Sequence, residues 1–229
     1  MPSDGGVALV FGARGGIGAA VTKALESSDR HAAVVGVSRA TGFDLTDEAS
    51  IARTVETAAM QGEIRLAIDA TGFLHDKGQA PEKSLRDLDA AKLARAFALN
   101  AIGPALIMKH LLPRLPRTGR AVFATLSARV GSIGDNRLGG WYGYRASKAA
   151  LNQMVRTASI ELARRAPEAV CVALHPGTVR TALSAPFVGE ERDAVSPDQS
   201  AENLLRVIDG LRAEDTGGFF DWRGDRIEW

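Results

Sequence analysis

Tyr144 and Lys148 stand four residues apart in the run Tyr144-Arg145-Ala146-Ser147-Lys148. On a helix that spacing puts both side chains on one face. A free tyrosine ionises near about 10, too high for efficient acid–base work at neutral pH. A neighbouring ammonium favours the phenolate, so Lys148 is expected to lower the Tyr144 pKa. Such a phenol protonates a carbonyl oxygen as hydride arrives on the carbon, or takes the proton back in the reverse direction. Alone, a Tyr-x-x-x-Lys spacing is equally a solvated helix face, so its meaning rests on its surroundings.

The second constellation is the loop Gly12-Ala13-Arg14-Gly15-Gly16-Ile17-Gly18, which follows the apolar run 7–11. Glycine lets a backbone turn tightly and approach a ligand without a Cβ. A helix starting there aims free N–H groups and its positive dipole end at an anion such as a pyrophosphate. The spacing is Gly-x-x-x-Gly-x-Gly, not the commoner Gly-x-Gly-x-x-Gly. The next apolar run ends in Val37-Ser38-Arg39. An acidic residue is expected there when a ribose 2′-hydroxyl is bound, and none is present. Arg39 and Arg14 suit a 2′-phosphate instead; the competing reading is two solvated arginines.

These residues need a scaffold. Short apolar runs at 7–11, 33–37, 66–68, 121–126, 170–174 and 218–220 are nearly continuous, as in parallel strands covered on both faces. Helix-like stretches at 17–27, 48–59, 85–112, 144–165 and 198–211 lie between them. The expected fold class is α/β: one doubly wound Rossmann-type domain over 1–229, with a mostly parallel sheet of about seven strands and helices on both faces. The stretch 182–195 is the candidate mobile loop.

Composition narrows the function classes. Hydrophobic residues make up 45% of the 229, and 28 basic residues balance 27 acidic ones. That balance argues against a nucleic-acid or anionic-membrane surface, and Arg114, Arg117 and Arg120 read as a solvated loop. Cys171, the single cysteine, reads as a small buried hydrophobe. The four histidines are scattered without metal-ligand spacing, so no metal is expected. No Gly-x-Ser-x-Gly elbow is present. The start lacks the pattern of a leader, no long uncharged apolar run appears, and a cytoplasmic location is expected. Trp141, Tyr142 and Phe187 line an apolar substrate cleft or simply pack.

Together these pieces resemble the short-chain dehydrogenase/reductase family over nearly the whole chain. The ordered set is the glycine loop, Asp44-Leu45-Thr46, Asp69-Ala70-Thr71-Gly72, Asn100, a serine-bearing strand end, Tyr144/Lys148 and Pro176-Gly177-Thr178-Val179-Arg180-Thr181. The stretch from Leu126 to Tyr144 and the ending Gly-Gly-Phe-Phe-Asp-Trp-Arg-Gly-Asp are similar to the C-factor/sniffer-type carbonyl reductase branch. The resemblance implies an NADP(H)-dependent oxidoreductase acting on a small carbonyl or alcohol substrate. It implies Tyr144 as acid/base, and Lys148 as holder of the nicotinamide ribose and tuner of Tyr144. Asn100 would bend its helix and hold a relay water. The cofactor would meet Gly12, Arg14, Gly15, Gly16, Ile17, Gly18, Ser38 and Arg39, and Asp44 and Leu45 at the adenine. Ala70, Thr71 and Gly72 would pass the adenosine half, Pro176, Gly177, Thr178 and Val179 would cup the nicotinamide, and Thr181 would bond near it. Family members commonly pair through two long helices, here 85–112 and 144–165, which implies a homodimer or homotetramer. The sequence departs from the family at Phe11 (usually threonine), at Asp-Ala-Thr-Gly (usually Asn-Asn-Ala-Gly) and at Ala128, where the substrate-orienting serine usually stands. Ser127 and Ser132 are the candidate replacements, with Ser127 favoured. A dinucleotide-binding regulatory protein with little turnover is the alternative.

Overall fold

The computed structural model describes residues 5–77, 79–188 and 194–229. Six strands form one sheet: β1 (Val7–Phe11), β2 (Ala33–Val37), β3 (Ile64–Asp69), β4 (Ala121–Leu126), β5 (Ala169–His175) and β6 (Phe219–Asp221). Their order is β2-β1-β3-β4-β5-β6, and all five pairings are parallel. Each apolar run read from the sequence is a strand. The count is six among the described residues, where about seven were expected on doubly wound precedent. Residues 38–47 hold one 3-10 turn, Arg39–Thr41, before the next helix. A parallel crossover needs about a dozen residues or more, so this stretch is too short to deliver another strand.

Alternation along the strands makes two cores. Val7, Leu9 and Phe11 face helices α2 (Glu48–Ala59), α4 (Gly103–Leu111) and α5 (Tyr142–Arg165). Ala8 and Val10 face α1 (Gly16–Glu26) and α7 (Pro197–Gly210). Each fully buried Val, Leu or Phe contributes about 1.5–3 kcal/mol, so both faces of the sheet are held firmly.

The stretch read as one helix over 85–112 is broken. Residues Leu85–Asp87 form a 3-10 turn, and Leu88 is extended. Helix α3 (Ala90–Phe97) starts only where the Asp89 carboxylate accepts from the Lys92 amide. A π-helical segment, Ala98–Ile102, separates α3 from α4. By length and mean hydropathy alone, Ala90–Arg114 is able to cross a membrane. Ile107, Met108 and Leu111 instead bury in the core under the sheet. The stretch 182–195, read as a loop, contains the short helix α6 (Ala185–Val188); residues 189–193 lie outside the described residues.

Candidate active site

The chain runs from β1 outward to β2, then returns to β3 on the other side of β1. Ligands of open α/β sheets bind at such a reversal, beyond the carboxyl ends of the strands. Here Gly12 turns with φ +78, and a Cβ on it would sit 2.9 Å from the Ala70 carbonyl oxygen. Gly18 packs directly on the Gly12 carbonyl, so a side chain there would collide with backbone. Gly15 opens α1 in extended geometry, and no side chain caps the helix. The free amides of this first turn are an anion site by construction.

A groove of about 600 Å³ runs from this turn past Ser38, Arg39, Asp44 and Leu45 to Ala70, Thr71 and Gly72. Arg14 and Gly15 line it too. Ser38 Oγ is buried and finds no hydrogen-bond partner among the described residues. An orphan hydroxyl beside two exposed arginines fits a phosphate oxygen. The Asp44 carboxylate accepts from the Thr46 hydroxyl (2.7 Å) and amide (2.8 Å), which hold it below its usual pKa.

The groove continues into a pocket of about 370 Å³ lined by Gly16, Ile17, Gly72, Ser127, Tyr144, Lys148, Pro176 and Thr181. Tyr144 and Lys148 therefore share one cavity with the glycine turn. The Lys148 ammonium donates to the Leu126 carbonyl at 2.8 Å. A Cβ on Gly72 would lie 3.9 Å from both Lys148 Nζ and Asn100 Oδ1, so those groups converge. Asn100, fully buried in the π-helical segment, pairs with the Phe73 backbone: Oδ1 accepts from its amide and Nδ2 donates to its carbonyl, each at 2.8 Å. Nδ2 also donates to Ser147 Oγ at 3.1 Å, and Ser147 Oγ donates to the Tyr144 carbonyl. The widened turn thus ties β3's exit to the helix that carries the phenol.

Burial sets the electrostatics, and it reverses one expectation. The Tyr144 phenol is pushed up to about 12 by burial, where a lowering by Lys148 was expected. Burial drops Lys148 to about 8, offset by the opposing charge of Asp69. The ammonium donates to the Leu126 carbonyl, and the apolar cavity penalises a phenolate. The phenol is consequently held in its protonated, donating form.

A third cavity, about 520 Å³, opens beyond Tyr144. Leu74, Ala128, Trp141, His175, Leu183 and Phe187 are among its walls, with Pro176 to Val179 below; Tyr142 is not among the lining residues. Rings meet edge to face along it, Phe187–Trp141 and Trp141–Tyr144, and His75 of the neighbouring pocket meets Phe187 in the same way. Trp141 holds an unusual left-handed backbone, φ 52.

Residues 12–209 match the family model described as enoyl-(acyl carrier protein) reductase. The chain belongs to the short-chain dehydrogenase/reductase family. Among curated relatives of this dehydrogenase are the C-signal of Myxococcus xanthus, 42% identical over 64% of this chain and 84% of that protein, and a 1-hydroxy-2-glutathionyl-2-methyl-3-butene dehydrogenase of Rhodococcus, 32% identical over 86% and 83%. Among solved structures, the NADPH-bound carbonyl reductase from chicken fatty liver is 25% identical, with TM-score 0.84, covering 98% of this chain and 94% of that one. The Drosophila carbonyl reductase Sniffer shares the fold at TM-score 0.79 and 20% identity over the full length of both. The branch that the sequence resembles is the branch these comparisons return.

Within this short-chain dehydrogenase, Gly12, Arg14, Gly15, Gly16, Ile17, Ser38, Arg39, Asp44, Leu45, Ala70 to Gly72, Tyr144, Lys148, Pro176 to Val179 and Thr181 line one continuous cleft, whereas Gly18, packed on the Gly12 carbonyl, and Asn100, buried behind Phe73, are not among its lining residues. Ser127 lines it too, but its hydroxyl donates to Asn152 Oδ1 at 2.6 Å. Ser132 is buried, accepts from the Asp135 amide, and is absent from the cleft lining. Sequence reading missed Glu82. Its buried carboxylate accepts from the Gly143 amide at 3.0 Å, and its carbonyl accepts from the Trp141 amide at 2.5 Å. A carboxylate at the start of α5 suits the helix dipole. No sequence spacing links Glu82 to residue 143, so only the fold exposes the pairing.

Proposed function

We propose that this chain is an NADP(H)-dependent carbonyl reductase in which Tyr144 hands its proton to the substrate oxygen. The observation that carries this reading is the single pocket shared by Tyr144, Lys148 and the glycine turn. The residues fit the dinucleotide: the uncapped start of α1 suits its pyrophosphate, and the orphan Ser38 hydroxyl with Arg14 and Arg39 suits a 2′-phosphate. When bound, the dinucleotide supplies the hydride. Lys148, close to Gly72, holds the ribose side of the site, and Thr181 closes over Gly16. Pro176 to Val179 cup the nicotinamide end, and Leu74, Trp141 and Phe187 exclude water around the substrate. Tyr144, protonated at neutral pH, donates to the oxygen as the carbon is reduced.

A second reading, a dinucleotide-binding signalling protein with little turnover, is favoured by the C-signal relative and by Ala128. Titration with NADPH and NADH, then a panel of aldehydes, ketones, quinones and an enoyl thioester, separates the two. Steady NADPH consumption supports the reductase; tight binding without consumption supports the signalling reading. Arg14→Ala and Arg39→Ala should each weaken NADPH by about tenfold, the scale of one charge-assisted hydrogen bond, and leave NADH nearly unchanged. A wild-type preference for NADH overturns the arginine assignment.

Two further readings belong to this proposal. The substrate is a small carbonyl or alcohol compound, processed in the cytoplasm; fractionation placing the chain in another compartment would refute the location. The protein pairs as a homodimer or homotetramer along the stretches 85–112 and 144–165, where Ile102, Met154 and Ile160 are exposed apolar side chains. Light scattering should give a mass of two or four chains. A purely monomeric mass at micromolar concentration removes the pairing.

A further inference from the structure

We propose that His175 donates a hydrogen bond to the substrate's carbonyl oxygen, filling the place left by a serine at position 128. The inference rests on the reductase reading above and deepens it. An oxygen gaining negative charge is best met by preorganised donors, and Tyr144 is one. Ala128 offers only a methyl group. The sole hydrogen of the Ser127 hydroxyl is committed to Asn152 Oδ1 at 2.6 Å. Asn152 is fixed in that sense because its Nδ2 reaches toward the Gly131 carbonyl. Ser132 lies off the cleft. Of the three arginines along the wall, Arg145 is spent on the carbonyls of Val130, Gly139 and Gly140, Arg129 on Asp135 and Asp221, and Arg137 is exposed to solvent at the rim.

His175 is different. It lines the cleft with Tyr144 and Ala128, and its Nδ1 is buried without a hydrogen-bond partner among the described residues. The strands put it there. Leu126 and Leu174 are in register, both in the core on the α1 side, and the Ser127 amide donates to the Leu174 carbonyl. By alternation the next residues, Ser127 and His175, turn to the opposite face, toward α5. Asp221 is His175's partner in register on β6, and Arg129 reaches the same carboxylate. Nδ1 has no surface open to the cleft, so the N–H that the ring can offer to a substrate is Nε2–H, with Nδ1 keeping the lone pair. Burial, with the Arg129 cation adding to it against Asp221, drops its pKa to about 4, so the ring is neutral at working pH. A neutral imidazole has one N–H to give and one lone pair. In the reduction, the hydride pair forms the new C–H bond and the carbonyl π pair moves to oxygen. The phenol's proton closes the O–H bond, and the imidazole keeps its own proton throughout.

The test uses the full chain with benzaldehyde as substrate. His175→Ala should lower kcat by about a hundredfold, the scale of one lost oxyanion donor, with the NADPH dissociation constant unchanged. Ala128→Ser placed in that variant should restore at least about tenfold, which a structural role for the histidine does not predict. A readout independent of turnover is the 15N-histidine spectrum of the NADP+-loaded wild type: benzaldehyde, unable to react there, should shift the His175 ring nitrogens. This second measurement stands even where His175→Ala fails to fold. An active wild type with an equally active His175→Ala, no rescue by Ala128→Ser, or unmoved nitrogen resonances overturns the histidine's role alone. A wild type that binds NADPH but reduces nothing overturns the reductase reading, and this inference with it.

Discussion

Tyr144→Phe should lower kcat for carbonyl reduction by about 10²–10⁴-fold, the range a positioned general acid supplies. The dissociation constant for NADPH should stay within about twofold, because the ring and its edge contact with Trp141 survive. The separation is diagnostic: a residue that merely shapes the pocket would change binding and rate together. The pH profile adds a second check. With the phenol at about 12 before any ligand binds, Tyr144 does not lose its proton near neutrality. The reduction rate of the wild type should therefore show no falling limb from this group between about pH 6 and 8. If Tyr144→Phe keeps more than about a tenth of the wild-type kcat, the proton comes from elsewhere.

Lys148→Met should raise the stability of the ligand-free chain at pH 7 while reducing its activity by an order of magnitude or more. The sign follows from linkage. The folded-state pKa is depressed to about 8, against 10.5 for the free side chain. Below pH 8 the folded chain must keep a buried ammonium charged, at a cost. Between about 8 and 10.5 the unfolded chain binds the proton and the folded chain does not, so wild-type stability rises with pH. Methionine fills a similar volume without the charge. The difference in denaturation midpoint between the two proteins should be largest below pH 8 and shrink toward pH 10.5. A difference that stays constant across that window would show that Lys148 is not held in the way its burial implies. Activity should fall because the variant has no ammonium to hold the ribose side of the cleft.

Much of this molecule is legible in its residues, and the reasons are local. Val7–Phe11 and Ala169–His175 are runs with no polar alternation, which only a doubly covered strand tolerates. Gly12 and Gly18 are dictated by close backbone approach, so the loop they make is readable before any fold is known. Other features depend on tertiary placement. The break at 98–102 leaves no mark in the apolar spacing of 85–112, and only the family resemblance points to a bend at Asn100, whose geometry is set by the Phe73 backbone. The Tyr144 pKa went the opposite way because a sequence shows the ammonium four residues on but not the depth of the cavity. The bond from Ser127 to Asn152 could not be read from spacing either, since strand and helix meet only in the folded sheet.

Glu82 grips the start of α5 twice, once through its carboxylate and once through its own carbonyl. The second grip falls on Trp141, the residue with the left-handed backbone whose ring roofs the phenol. One connecting segment therefore works as a fixed hinge pin: it sets the tilt of a long rod and the shape of the doorway above it in a single motion. A change in the segment around Glu82 is therefore felt at both places together, although Glu82 itself lines none of the three cavities.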